Sequence, residues 1–213
     1  MQALLAVSRG IDRVNAFIGK SVVWLILLAV LVSAANAVSR KLFDLSSNAW
    51  LELQWYLFGA AFMGAAAYTL QQNEHIRIDV FYGSRSRRTQ HWIDLLGHIF
   101  FLLPFVVLMA WLLWPYTIQA FVSGQVSSNA GGLIIWPARA ILLIGFIMLS
   151  FQALAEIVKK IAVMRGLMED PHPFVSAQEQ ALKEVEDLAA EVQAKAAAAN
   201  TAAAAADAAE GKK

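Results

Sequence analysis

Apolar residues in this chain gather into four long blocks, at about 22–38, 49–70, 92–114 and 133–158, separated by shorter polar stretches. Each block is close to the roughly 20 residues that a helix needs to cross a bilayer core. A helix also satisfies its own backbone hydrogen bonds, which hydrocarbon requires of any spanning segment. The pattern predicts an all-α integral membrane protein with four transmembrane helices. The fourth is well marked: Gly131 and Gly132 lie before it, and Pro137 falls in its first turn, where a missing amide hydrogen costs nothing. Pro104 lies inside the third block and predicts a kink there, with the freed carbonyl taken up by a neighbouring helix.

The cations set an orientation, because Lys and Arg are retained on the cytoplasmic side during insertion. Arg9, Arg13 and Lys20 precede the first block, Arg77, Arg85, Arg87 and Arg88 lie between the second and third, and Lys159, Lys160 and Arg165 follow or close the fourth. Only Arg40 and Lys41 fall in the opposite loops, so both termini are expected in the cytoplasm. The tryptophans agree with that frame, since indole favours the headgroup boundary. Trp50, Trp55, Trp111, Trp114 and Trp136 fall at the outer ends of the blocks, Trp24 and Trp92 at the inner ends. The first block also resembles a signal peptide, with a basic lead, an apolar run and the sequence Ala35-Asn36-Ala37. Its near-spanning length and the three blocks that follow favour retention as a helix. Residues 1–168 are therefore expected to form the membrane domain. Residues 169–213, rich in Ala, Glu and Lys, are expected to form a cytoplasmic tail, partly helical or disordered.

Composition sharpens the picture. The 213 residues are 59% hydrophobic and 15% charged, against about 25% charged in an ordinary soluble domain. A net charge of +1, with the basic residues in short clusters beside apolar blocks, gives no nucleic-acid surface. The absence of cysteine removes disulfides, thiolate nucleophiles and thiolate metal sites. Four histidines raise the question of haem, but only His98 falls inside a block, while His75, His91 and His172 do not. A bis-histidine haem needs two imidazoles at one depth on facing helices. With no P-loop, dinucleotide turn, triad spacing or paired carboxylates in a block, no catalytic residue, cofactor site or metal site is expected.

Ionisable groups within a span are costly and therefore informative. Glu52 and Arg139 each lie about one turn into their helices from the same face, which suggests that they pair or meet a partner, or that each reaches separately for the interface. The second helix carries small residues, with Gly59 and Ala67 on or near the Glu52 side and Ala60 and Gly64 beside them. Such residues allow close helix contact, either inside the bundle or against another subunit. Mid-membrane positions are otherwise apolar, and the interrupted helices of a self-sufficient transporter are missing, which points to a supporting role.

The stretch from Trp50 to Tyr82 resembles the signature of the small membrane subunit of tripartite ATP-independent periplasmic (TRAP) transporters, the DctQ-like family. The matching features are Glu52, the run Tyr56-Leu57-Phe58, the patch Gly64-Ala65-Ala66 and the ending Glu74-His75-Ile76-Arg77-Ile78-Asp79. One departure is Gln54-Trp55, where many members carry a basic residue before the aromatic. The resemblance covers about Ile11 to Arg165. It implies a non-enzymatic subunit in a bacterial inner membrane, partnered by a large permease subunit and a periplasmic solute-binding protein. The large subunit is then expected to carry an organic acid or similar solute with sodium ions, and this chain to scaffold it and to help dock the binding protein. Glu74, His75 and Asp79 would form a structural turn. A membrane anchor for a redox enzyme is the alternative.

Overall fold

A computed structural model describes residues 1–45, 47–73, 82–83, 85–171, 181–182, 184–193 and 195. The chain divides into two compact units, Met1–Ile78 with Arg85–His172, and Asp79–Ser84 with Pro173–Lys213. In the second unit, 184–193 is helical and fully exposed, with Lys195 bonded to Glu191 one turn back (2.7 Å). Glu74, His75, Asp79 and His172 lie outside the described residues.

The regular elements described in the first unit are all helices. Its elements are α1 (Gln2–Phe43), α2 (Asn48–Gln71), α3 (Arg87–Gly97), a π-helical turn (His98–Leu102), α4 (Leu103–Ser123) and α5 (Trp136–Met164). Helix α5 is the hub, packing against α1, α2, α3 and α4. Helices α1 and α2 form the closest pair, and α4 rests mainly on α5.

Three helical stretches are long and apolar enough to cross a membrane: Gln2–Phe43, Arg87–Ser123 and Trp136–Met164. Helix α2, with 24 residues, measures about 36 Å at 1.5 Å per residue, but it falls short on apolarity. The reason lies in its own packing chemistry. Glu52 and Gln54 are polar, Trp50, Trp55 and Tyr56 carry amphipathic rings, and Gly59 and Gly64 add no apolar side chain, while the small residues from Gly59 to Ala67 allow neighbours to approach closely.

Two helices run well past their apolar blocks. Helix α1 begins at Gln2, about twenty residues before the apolar run. Its buried positions Ser8, Asn15, Val22 and Ala29 recur every seven residues, the period that keeps one seam of a helix against a partner. The stretch Arg87–Ser123 continues to Gly124, a left-handed residue (φ 60°), passing through Pro115. The disturbance expected at Pro104 is taken up just before it. Across His98–Leu102 the hydrogen bonds lengthen to the π pattern, with the Leu103 amide donating to His98 O. A widened turn relieves the clash between a proline ring and the preceding turn.

The seams are built on glycine and alanine. A Cβ on Gly145 of α5 would sit 2.7 Å from Met63 Cβ of α2, and one on Gly64 would sit 2.8 Å from Val22 of α1. Ala29, Ala67, Ala153 and Ala162 are fully buried. In lipid this close packing, and not apolar burial, holds helices together. Large side chains point outward: Phe62 is 75% and Trp111 77% exposed. Such a surface suits hydrocarbon or another membrane protein. We predict that Gly145→Leu destabilises the protein by about 1–3 kcal/mol through overpacking. At Gly59 an added Cβ meets no atom within 4 Å, and Gly59→Leu is expected to be tolerated. The unfolding midpoint in mixed micelles measures both, and equal midpoints for the two variants would contradict the packing described.

Candidate functional site: a clasped loop and a buried ion network

Asn48, Glu52 and Tyr56 are spaced four apart on α2, so they form one stripe along its first two turns. All three reach the loop between α4 and α5. The Asn48 side-chain amide donates to Ala130 O (2.9 Å), and the Tyr56 hydroxyl donates to Ile134 O (3.1 Å). Between them, Glu52 is 4% exposed and accepts three bonds. Ser127 Oγ donates to Oε1, Asn129 Nδ2 donates to Oε1 (2.8 Å), and the Leu133 amide donates to Oε2 (2.6 Å). A carboxylate held by hydroxyl, amide and backbone donors satisfies its charge without a cation.

The loop is shaped to receive it. Its two limbs pair through Ser127 N to Leu133 O (2.8 Å) and Ile135 N to Gln125 O (2.9 Å), with an isolated bridge between Val126 and Ile134. The tip turns at Asn129–Gly132, closed by Gly132 N to Asn129 O (3.0 Å), with Gly131 at φ 70° in the third position. That conformation favours glycine. Gly132 is required for a different reason, because a Cβ there would lie 2.6 Å from Ser127 Cβ and 2.8 Å from Glu52 Oε1.

Arg139 does not pair with Glu52. It lies half-buried on α5, donating through Nη1 to Tyr116 O (2.9 Å), with its guanidinium carbon 3.4 Å from the centre of the Tyr116 ring. A cation over an aromatic face is stabilised by the ring quadrupole. The other expected residues divide. Gly64 and Ala67 face internal seams, Ala60 is half-buried, and Gly59 opens to no neighbour. Leu57 is half-buried and Phe58 exposed.

A second polar cluster joins the far ends of α1 and α5. Lys159 Nζ lies 3.0 Å from Asp12 and 2.6 Å from Glu156. Gln152 donates to both carboxylates and accepts from Asn15 Nδ2 (2.7 Å), while Ser8 Oγ donates to Ala155 O (3.4 Å). Beside it, Lys160 pairs with Asp94 of α3 (2.9 Å) and Asp170 (3.7 Å), and His91 lies 3.8 Å from Asp170. His98, with Nδ1 protonated, donates to Asp94 O one turn back (2.7 Å). No group of His, Asp or Glu suited to a metal occurs among the described residues. This cluster ties three helices at one end, as Glu52 ties one helix to a loop at the other. It was not foreseen in sequence, where Lys159 and Lys160 stood only as orientation markers.

A family model described as Tripartite ATP-independent periplasmic transporters, DctQ component, matches residues 20–163, well over half of the chain. No curated protein and no solved structure matches. The matched range holds the Glu52 stripe and the whole loop that it clasps.

Glu52→Ala is expected to speed amide exchange at Leu133 and Ser127 by at least about tenfold, as charge-assisted bonds are lost, while the seams of α1 and α2 keep their protection. Exchange unchanged in the loop would contradict the clasp. At the other end, Lys159→Met strands Asp12 and Glu156 together and is predicted to cost about 3 kcal/mol. Adding Asp12→Asn and Glu156→Gln should recover most of it. A triple variant no more stable than Lys159→Met, judged by unfolding midpoint, would show that charge is not what the cluster balances.

Proposed function

The chain belongs to the DctQ component family of the tripartite ATP-independent periplasmic transporters, and from that premise we propose that it is the stationary frame on which the large permease subunit works. It is a membrane-embedded transporter component and not an enzyme. The observation that carries the proposal is the Glu52 clasp. Four hydrophobic helices joined by loops would leave the α4–α5 loop free to move, whereas here three side chains of α2 pin it from tip to limb. A pinned loop presents one fixed surface. That suits a docking platform for a solute-binding protein better than a gate.

In this proposal all of α1, α2, the Arg87–Ser123 stretch and α5 cross a bacterial inner membrane, with both termini in the cytoplasm. The distribution of Lys and Arg supports that frame. The length of α2 also supports it: one face, with Met63, Gly64 and Ala67, packs on α1 and α5, while Trp55, Phe58 and Phe62 point outward as a lipid-facing helix requires. The Glu52 loop then faces the periplasm and the Lys159 cluster the cytoplasm. Solute, an organic acid or similar anion, and sodium ions would pass through the large subunit. Among the described residues, glycine and alanine seams close the middle of the bundle, and the family's three-part organisation supplies the partners.

Affinity purification of the tagged chain from mild detergent, followed by mass spectrometry, tests the assignment of partners. A large multi-span permease at about equal stoichiometry is expected. Recovery of a soluble oxidoreductase, or of the chain alone, would contradict it. Orientation has its own test, made clean by the absence of native cysteine. A cysteine at Ser128 should react with a membrane-impermeant maleimide in intact cells and one at Gly166 should not, and the reverse result would overturn the frame.

A further inference from the structure

Helices α4 and α5 flank an open apolar groove, lined by Ala110, Trp111, Trp114 and Pro115 on one side and by Leu143 and Ile147 on the other. Arg139, Leu143 and Ile147 follow one another at helical spacing, so the guanidinium lies on the face of α5 that lines the groove. It is anchored there by Tyr116, the neighbour of Pro115. The aromatic pair Phe121 and Trp136, edge to face at 5.4 Å, stands at the same end, where indole and benzene rings favour the headgroup boundary.

Arg139 is the unusual member of this group. Its described contacts are one bond from Nη1 to a carbonyl and the face of a ring, neither of which carries a negative charge. The carboxylate at the same end of the bundle, Glu52, is already occupied by Ser127, Asn129 and Leu133. A half-buried arginine with no carboxylate partner among the described residues, one turn inside the start of a helix whose terminus carries partial positive charge, favours an anion. The groove beneath it takes an alkyl chain.

We propose that this groove holds one anionic phospholipid, with its phosphate on the free edge of the Arg139 guanidinium and one acyl chain lying between α4 and α5. A zwitterionic headgroup offers the same phosphate, but it also brings a cation toward Arg139 and the helix start. The site therefore discriminates by net charge. The proposal requires only that α4 and α5 lie in a membrane, so it stands or falls separately from the transport role.

The experiment is native mass spectrometry of the purified full-length chain after exchange into detergent containing dioleoyl phosphatidylglycerol or dioleoyl phosphatidylcholine. One retained phosphatidylglycerol per chain is expected, in preference to phosphatidylcholine. Arg139→Gln should weaken retention about fivefold, the usual scale for one basic residue near an anionic lipid surface. Because Arg139→Gln also loosens the hold on Tyr116, Ala110→Trp and Ile147→Trp provide a second arm. Each fills the groove with the arginine intact and should expel the lipid, while thermal melting confirms a folded chain. Equal retention of the two lipids, or wild-type retention in folded Arg139→Gln and in both groove-filling variants, would overturn the proposal. So would loss of the bound lipid when the large membrane subunit co-purifies, since the groove would then be a subunit contact.

Discussion

A polar group enclosed by helices that face hydrocarbon has to find its hydrogen-bonding partners within the protein, because the surrounding lipid offers none. That constraint explains where the structure is tight. The middle of the bundle is closed by glycine, alanine and methionine, where contact needs no polar atoms. The ends are closed by polar side chains that satisfy one another: Glu52 with the loop donors at one end, and Asp12, Gln152, Glu156 and Lys159 at the other. Between the two, α5 touches every other long helix and fixes their spacing. The ends are where directional bonds hold the bundle, and the centre is where it is merely close-packed.

This division bears on the role of a small subunit. Directional bonds define one arrangement, whereas glycine seams alone allow helices to slide. A bundle bonded at both ends favours one arrangement, and that is the property the proposed frame for a permease subunit would need. The outward faces are another matter. Phe62, Trp111, Phe101 and Val122 are more than 70% exposed, which leaves a broad apolar surface that suits lipid or another membrane protein.

The membrane character of the chain was legible in its apolar blocks, and its family in the segment around Glu52, Tyr56, Leu57 and Phe58. The partners of those residues were not. Glu52 and Arg139 were matched by depth, but depth says nothing of the direction in which a side chain leaves its helix, and hydroxyl, amide and backbone donors satisfied the carboxylate more closely than a distant guanidinium. Ser127 and Asn129 are ordinary loop residues in sequence, with no signal that a carboxylate selects them. The early start of α1 was concealed because its first twenty residues mix polar and apolar types, although the seven-residue spacing of Ser8, Asn15, Val22 and Ala29 was present. Lys159 was legible as a charge beside an apolar block. That its ammonium balances Asp12 on a helix nearly 150 positions away is a fact of tertiary packing. The π turn before Pro104 answers a demand that the proline announces, at a place that only packing decides.

The central claim is that this subunit stays rigid while its partner moves, and electron–electron distance measurement tests it most directly. Spin labels at Phe62→Cys and Phe151→Cys, on the exposed faces of α2 and α5, would report the spacing of those helices in the complex with the large permease subunit. The account predicts one narrow distance distribution, unchanged when sodium ions and solute-loaded binding protein are added. A second distance, or a shift of several ångströms on adding them, would contradict it and make this chain a moving part of the transporter.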